Sequence, residues 1–182
     1  RPVHRGGDRV TSTARPWAAA YPAGVPAEVT APLAATLGQL VRDTAAREGE
    51  RIAYTVVMPN GMYGNLTFAE VDRLSDAFAA WLREVAGLQE GDRVALQTPN
   101  SLTVPVVAFG VFKAGCVLVN VNPLYTPAEM AHQIRDAGPK LIVITDMFAG
   151  KLEEAGRMVP LPKVVVTRVA EFMPRAVRGV IG

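Results

Sequence analysis

The hydrophobic and polar positions along this chain follow two periods, and the change of period marks its elements. From residue 36 onward, short runs of valine, isoleucine and leucine alternate with stretches in which apolar residues recur three and four positions apart. The first pattern is typical of buried strands and the second of amphipathic helices. Because continuous apolar strands separated by helices favour a parallel sheet buried on both faces, we predict an α/β fold.

Three predicted helices begin with capping signals. Thr36 precedes a helix over about 36–48, and Thr67 opens a Thr-x-x-Glu capping box. The segment Thr126-Pro127-Ala128-Glu129 combines an N-cap, a proline at the first helical position and an acidic third residue. The helix after Thr67 should end at Gly87. Its apolar stripe consists of Val71, Leu74, Phe78, Trp81, Leu82 and Val85.

The remaining elements are predicted from apolar runs and turn residues. Asn60-Gly61 lies between two β-runs and indicates a hairpin near the front of the chain. The predicted strands are 52–57, 65–68, 93–97, 116–121, 141–145 and 163–167, and the further helices are 101–114, one closed by Gly138-Pro139, and one near 148–158.

The two ends of the chain differ from the middle. Residues 1–32 contain five prolines and no periodic apolar face, so we predict a leader or arm before an α/β body at 33–167. Residues 168–182 mix arginines with apolar residues such as Phe172 and Met173, a weak basic amphipathic pattern. Two interpretations of this tail stay open: a linker to further chain, or a contact with an anionic membrane surface.

Charge and composition narrow the class of protein. The formal net charge of +2 comes from the basic ends, and the acidic middle lacks the clustered cations of a nucleic-acid-binding surface. A single cysteine, Cys116, excludes an intramolecular disulfide and suits a reducing compartment. No apolar run reaches membrane-spanning length, and the first 30 residues lack a signal-peptide core. We therefore expect a cytoplasmic protein, with peripheral contact at the inner face of the membrane as the tail's second interpretation.

Several residue patterns could carry chemistry but favour structural roles. Gly110 to Gly115 has the glycine spacing of a phosphate loop, yet Cys116 follows where lysine is required, and the glycines end a helix instead of opening one. His132 follows Glu129 by three positions, but di-iron bundles need a second such pair. Cys116 lies in an apolar strand and is predicted to be a buried, inert thiol. We therefore predict neither a catalytic residue nor a metal site in this chain.

Polar residues follow two of the predicted parallel strands, and these residues form the candidate site. Thr98 and Asn100 follow the strand at 93–97. Asn120, Asn122 and Tyr125 lie at and beyond the end of the next strand. Ligand crevices of open α/β sheets form at the carboxyl ends of strands, so we predict that these five side chains face a substrate. The alternative, that they serve only loop and capping roles, stays open.

At these residues the chain resembles long-chain fatty acyl-CoA synthetases of the adenylate-forming, AMP-binding superfamily. The match extends over most of residues 17–167, and Asn120 to Pro127 is almost verbatim. The other segments that carry it, in the family's order, are Tyr21 to Pro26, Gly91 to Leu96, Pro99-Asn100 and Lys113 to Gly115, with Glu129 and His132. The resemblance implies part of the N-terminal domain of such an enzyme, a mostly parallel sheet flanked by helices with a hairpin near the front.

The resemblance also implies a two-step reaction. A fatty-acid carboxylate attacks the α-phosphate of ATP to give an acyl-adenylate and pyrophosphate, and the CoA thiol then displaces AMP. ATP, Mg²⁺ and CoA are thus expected for the full-length parent, with fatty acid and CoA as its substrates. The family's phosphate loop, ribose-binding acid and mobile-domain lysine have no counterpart here, so the chain alone should be inactive and should bind none of these groups tightly.

The expected partners are the remainder of the same polypeptide and a second copy of the chain. If the remainder normally covers one face, apolar surface should be exposed on this piece. Two alternatives stay open. One is a fatty acyl-AMP ligase, and the other is a stand-alone, non-catalytic dimerisation or docking module related to acyl-activating enzymes.

Overall fold

The chain contains two compact units, Arg1–Leu33 and Ala34–Gly182, in a computed structural model that describes residues 15–26, 28, 33–174 and 177–179. Residues 1–14 of the predicted arm lie outside the described residues. In the first unit, the described part contains a short 3-10 helix, Pro16–Ala20, and an ion pair of 3.1 Å between Arg15 and Glu28.

The second unit alternates helices and strands in the predicted order. The helices are α1 (Leu37–Glu48), α2 (Phe68–Glu84), α3 (Thr103–Lys113), α4 (Pro127–Ala137) and α5 (Ala149–Gly156). The strands are β1 (Ile52–Val57), β2 (Tyr63–Thr67), β3 (Arg93–Gln97), β4 (Val117–Asn120), β5 (Leu141–Thr145) and β6 (Lys163–Thr167). No described helix combines the length and the apolar character that crossing a membrane requires.

These strands form two sheets. β1 and β2 make the predicted antiparallel hairpin, and β3 to β6 make a parallel sheet in the order β4-β3-β5-β6. Helices α2 and α3 pack on one face of the parallel sheet, where Leu82 and Val111 contact the side chains of Val94 and Leu141. Helices α4 and α5 pack on the other face around Met130 and Ile142. The predicted α/β fold with a front hairpin is confirmed.

Burial on both faces, however, holds only for the central strands. Ala95, Leu96 and the whole of β5 are buried, whereas Val164 and Val166 of β6 remain 43% and 56% exposed. Among the described residues, β6 has a neighbouring strand on one side only, and these two side chains point away from the α2–α3 layer. The prediction of a sheet buried throughout is therefore wrong at this edge.

The tail after β6 is not a free segment in its described part. Ala170 and Met173 are buried in a third apolar cluster with Leu66 and Leu102, and Phe172 and Val177 pack against that cluster. An added Cβ at Gly64 of the hairpin would lie 3.2 Å from the Met173 side chain. The apolar residues read as a membrane-facing pattern are thus used inside the protein. Val180 and Ile181 lie outside the described residues.

A few predicted boundaries shift for local reasons. β2 begins at Tyr63 and ends at Thr67, because Thr67 is the N-cap of α2 and Phe68 is already helical. Helix α3 begins at Thr103 rather than Ser101, which places Pro105 in its first turn. Val85 is the C-cap of α2 and is 68% exposed, so it does not continue the apolar stripe.

Candidate functional site

The winding of the parallel sheet reverses between β3 and β5. From β3 the chain passes through α3 on one face to β4, and from β5 it passes through α5 on the opposite face to β6. The chain segments after these two adjacent strands therefore leave towards opposite faces of the sheet. Such switch points are where open α/β sheets bind ligands.

Three hydroxyl groups, named here the hydroxyl cluster, meet at this point. The Thr145 hydroxyl donates to Thr98 Oγ1 at 2.9 Å, and the Ser101 hydroxyl lies 3.1 Å from the same atom. The Thr98 hydroxyl in turn donates to the carbonyl of Pro99 at 3.0 Å. The cluster joins the ends of β3 and β5 and can exchange hydrogen bonds with a polar ligand.

Gln97, the last residue of β3, is a further polar residue at this end of the sheet. It is fully buried, and its Nε2 donates to the backbone carbonyl of Asn122 at 3.2 Å, which ties the end of β3 to the loop after β4. Within the described residues its Oε1 has no hydrogen-bond partner. A buried acceptor without a donor is costly, and Asn65 Oδ1 and Gln133 Oε1 share this property, so the feature alone does not identify a site. Gln97 is not among the five predicted site residues. In the sequence it is marked only as a glutamine at the end of an apolar strand.

The five predicted site residues lie in different surroundings. Thr98 belongs to the hydroxyl cluster. Asn122 contributes its backbone carbonyl to Gln97, while its side-chain Oδ1 accepts the Leu124 N–H at 3.0 Å in a local turn. Asn100 is exposed after Pro99. Within the described residues, no hydrogen bond joins the Gln97–Asn122 contact to the hydroxyl cluster, so Thr98 and Asn122 belong to separate polar contacts.

The other two predicted residues lie towards α4 and α5. The backbone carbonyl of Asn120 accepts from Gln133 Nε2 at 2.9 Å. Tyr125 is half-buried against the α4–α5 cluster, and its carbonyl accepts from Lys151 Nζ at 3.3 Å. Neither contact involves the predicted side-chain polar group, so a substrate-facing role for these two side chains stays a prediction.

A cavity of about 420 Å³ adjoins this edge, in the loops that follow β5 and β6. Arg168 and Arg178 line it together with Asp146 and Glu171. Within the described residues neither arginine forms an ion pair. Because the lining residues come from segments more than 20 positions apart, periodicity and local motifs could not assemble this cavity.

The rejected phosphate loop proves to be a packing feature. Gly110 lies inside α3, where an added Cβ would approach Phe78 Cδ1 to 2.7 Å, and Gly115 has φ +72° just beyond the end of the helix. The Lys113 side chain is only 2% exposed, and its Nζ lies 2.6 Å from Asp72 Oδ1 and 2.8 Å from Asp76 Oδ1. A buried, ion-paired lysine is not available to a phosphate.

The other motif residues also have structural roles. Burial raises the pKa of the Cys116 thiol, which keeps it protonated and poorly nucleophilic. His132 is exposed on α4, and Glu129 caps the same helix by accepting the Thr126 N–H at 2.8 Å. The described part of the chain holds no group of three His, Cys, Asp or Glu residues suited to a metal ion.

Comparison with known proteins identifies a family and relatives of similar sequence. Residues 41–177 match the AMP-binding enzyme family. A long-chain-fatty-acid–CoA ligase of Salmonella typhimurium is 39% identical over 160 residues, which cover 88% of this chain and 28% of the relative. The Bacillus subtilis long-chain-fatty-acid–CoA ligase is 35% identical, with 88% and 27% covered. The chain thus spans between a quarter and a third of the length of these relatives.

Solved structures share the fold. The N-terminal domain of FACL13 from Mycobacterium tuberculosis has a TM-score of 0.63 at 26% identity, covering 72% of this chain and 33% of that one. A long-chain-fatty-acid-CoA ligase from Archaeoglobus fulgidus has a TM-score of 0.66 at 18% identity, covering 76% and 29%. At that lower identity, the likeness speaks for the fold alone.

Proposed function

The chain belongs to the AMP-binding enzyme family, and from this premise we propose that it supplies the N-terminal part of an ATP-dependent long-chain fatty-acid–CoA ligase. The parent enzyme joins a fatty acid to CoA, with conversion of ATP to AMP and pyrophosphate. The observation that carries the proposal is the 39% identity to such a ligase across 88% of this chain. Acyl-AMP formation without CoA transfer is the nearest alternative reaction.

The proposed contribution of this piece is one wall of the substrate crevice. Thr98, Asn100, Asn120, Asn122 and Tyr125 are proposed to face substrate. Support comes from the position of Thr98 at the switch point and from its hydrogen bonds with Thr145 and Ser101. Hydroxyl and amide groups orient a polar ligand without transferring protons at neutral pH, so the role proposed for them is positioning.

The glycine segment Gly110 to Gly115 does not fit the phosphates of ATP. A phosphate cradle needs consecutive backbone N–H groups at a helix start and a free cation. Here the glycine segment ends α3, and Lys113 is held by Asp72 and Asp76. We therefore assign ATP, Mg²⁺ and CoA to the full-length parent, expect none of them to bind this piece tightly, and derive no chemical step from its residues.

The proposed partners follow from the same assignment. They are the fatty acid and CoA of the parent, the remainder of the same polypeptide, and a second copy of this chain. The proposed location is cytoplasmic. For peripheral contact with the inner face of the membrane, Met173 is unavailable because it is buried, and Phe172 is partly buried against the same cluster. The contact would therefore rely mainly on arginines and on residues outside the described ones.

The test is thioester formation from palmitate, ATP-Mg and CoA, by the 182-residue chain and by the longer parent polypeptide. We expect an active parent and an inactive piece. Turnover by the piece would overturn the assignment of the chemistry to other residues. An inactive parent that also forms no palmitoyl-AMP would instead favour the non-catalytic docking module.

A variant of the parent tests the crevice. Thr98→Val keeps the side-chain volume but leaves the Thr145 and Ser101 hydroxyls without a partner, and we expect kcat/KM to fall about tenfold. Thr55→Val, at an exposed position of the hairpin, is the matched control and should leave kcat/KM unchanged. Equal effects of the two substitutions would contradict a role for the hydroxyl cluster in substrate positioning.

A further inference from the structure

Side chains from three other elements hold the segment that follows β4. This segment, residues 120–126, is named here the β4 loop. Loop carbonyls have no partner in a strand ladder and must be satisfied elsewhere. Three of them accept hydrogen bonds from donors on β3, α4 and α5. The pairs are Gln97 Nε2 with the Asn122 carbonyl at 3.2 Å, Gln133 Nε2 with the Asn120 carbonyl at 2.9 Å, and Lys151 Nζ with the Tyr125 carbonyl at 3.3 Å.

The turn inside the β4 loop is closed by its own hydrogen bonds. The Tyr125 N–H donates to the Asn122 carbonyl at 3.1 Å, and the Leu124 N–H donates to Asn122 Oδ1 at 3.0 Å. These local contacts set the shape of the turn. Its place relative to the sheet is set by Gln97, because the Asn122 carbonyl accepts from Gln97 Nε2 as well as from the turn.

The two glutamines are oriented by their contacts with the β4 loop. An amide can face a carbonyl only with its N–H₂ group, so the bonds to Asn120 and Asn122 fix which way each amide points. In this orientation Gln97 Oε1 and Gln133 Oε1 are buried and have no hydrogen-bond partner among the described residues. Since an unpaired buried acceptor costs free energy, both amides keep the loop contact in preference to satisfying their oxygens.

All three bonds use main-chain acceptors and leave the side chains of the loop free for other contacts. Asn120 and Asn122 are exposed, and Tyr125 is half-buried. On the α5 side, Lys151 Nζ lies 5.9 Å from the centre of the Phe148 ring, a cation–π distance that helps to keep the lysine beside the loop. A backbone held in this way presents its exposed amides at defined positions and lowers the ordering cost of binding.

We propose that Gln97, Gln133 and Lys151 are positioning residues, which hold the β4 loop so that its predicted site residues face substrate. The inference rests on the proposed function, because it takes the loop to be part of the substrate crevice. Substrate binds only to molecules whose loop is in the competent conformation, so loosening the loop raises KM. A loss of folded enzyme would instead lower kcat and leave KM unchanged.

The first test is amide hydrogen exchange in the 182-residue chain, followed by NMR. Gln97→Met and Lys151→Met each remove a donor but keep an unbranched side chain of similar length. We expect the amides of Leu124 and Tyr125 to exchange about fivefold faster in both variants, with the amide of Val143 in β5 unchanged. Lys151→Arg keeps a donor for the Tyr125 carbonyl and should restore slow exchange.

Gln89→Met is the matched control. Gln89 is also a glutamine whose Nε2 donates to a main-chain carbonyl, that of Gly87 at 3.4 Å, but it lies before the amino end of β3. Exchange at Leu124 and Tyr125 should be unchanged in this variant. Unchanged exchange in Gln97→Met and Lys151→Met would overturn the proposal.

The second test measures the same variants in the longer parent polypeptide, with palmitate, ATP and CoA varied in turn. We expect at least one KM to rise about fivefold in Gln97→Met and Lys151→Met, while kcat stays within about twofold. Lys151→Arg should recover most of the loss in KM. A lower kcat with all three KM values unchanged would overturn the positioning role.

Failure of the proposed function gives a different result. An unsubstituted parent that forms no palmitoyl-CoA would overturn the ligase assignment, and with it the substrate role of the β4 loop. The exchange measurement needs no activity, so it still decides whether the three donors hold the loop.

Discussion

The centre of the parallel sheet and its β6 edge are made of the same residue types, but their side chains differ in how far they are exposed to solvent. In β5, the side chains from Leu141 to Ile144 are at most 1% exposed. In β6, Val164 and Val166 are about half exposed, although the strand is as apolar. Hydrophobicity along the chain therefore predicts that a segment forms a buried-type strand. The position in the sheet decides how much of the strand is buried.

The two regions also differ in what surrounds them. Helices cover both faces of the sheet at β3 and β5. The buried ion pair of Lys113 with Asp72 also links α3 to α2. Beside β6, a cavity and an unpaired edge replace these contacts. The difference predicts that side chains at the centre contribute more to the stability of this unit than side chains of the β6 edge.

The largest difference between the two regions is expected when one side chain is truncated in each. Leu82→Ala removes a side chain with no exposed surface on the α2–α3 face and should lower the free energy of unfolding by about 2–5 kcal/mol. Val164→Ala at the edge should lower it by less than about 1 kcal/mol. Urea denaturation followed by circular dichroism measures both. Similar losses would show that the edge is as closed as the centre.

A smaller effect is expected from adding one methyl group to each of two helices. Gly110→Ala forces a Cβ to within 2.7 Å of Phe78 Cδ1 and 3.1 Å of the Ser75 carbonyl, so α2 and α3 must move apart. We expect a loss of about 1–3 kcal/mol. Gly150→Ala in α5, where no atom lies within 4 Å, should stabilise by up to about 1 kcal/mol. Thermal unfolding of both variants checks the prediction, and a neutral Gly110→Ala would contradict the close helix packing.

The smallest effect concerns pH at the amino end of the central strand β3. The Gln89 N–H and the Lys140 ammonium, 2.8 Å away, hold the pKa of Asp92 below its ordinary value of 3.8. A lowered folded-state pKa stabilises the fold above the ordinary value, and this contribution disappears as pH falls through the lower folded value. Asp92→Asn should therefore flatten the pH dependence of stability below about pH 4.

The control for that measurement is Asp146→Asn, a carboxylate after β5 with no ion pair among the described residues. Below about pH 4, the stability of this variant should change with pH more like that of the unsubstituted chain than the stability of Asp92→Asn does. Thermal midpoints between pH 3 and 7 compare the three proteins. If the pH dependence of the thermal midpoint is unchanged in Asp92→Asn, Asp92 does not contribute to the acid sensitivity of the fold.

Local signals predicted the elements well because their causes are local. The capping boxes at Thr67 and Thr126 both form with their reciprocal hydrogen bonds, and Gly138 adopts the left-handed conformation that ends α4. The bounds of β3, β5 and β6 coincide with the predicted ones. In each case the determining contacts lie within a few residues of one another.

The candidate site was only partly predictable. Thr98 was found because it follows an apolar strand, and the rule for carboxyl ends of parallel strands applies to it directly. Thr145 and Gln97 were not included, since the contact of Thr145 with Thr98 and that of Gln97 with the Asn122 carbonyl depend on which strands are neighbours. The strand order puts β5 beside β3 and sends the two following helices to opposite faces.

By itself, the sequence determined the type and order of the helices and strands, the bounds of β3, β5 and β6, the α/β class and the family. Tertiary structure alone decided that β6 is an edge, that the tail residues Ala170 and Met173 enter the core, and that Arg168 and Arg178 share a cavity. The physical reason is range. Capping, turns and periodicity act between residues a few positions apart, whereas burial and convergence depend on segments that meet only after the chain has folded.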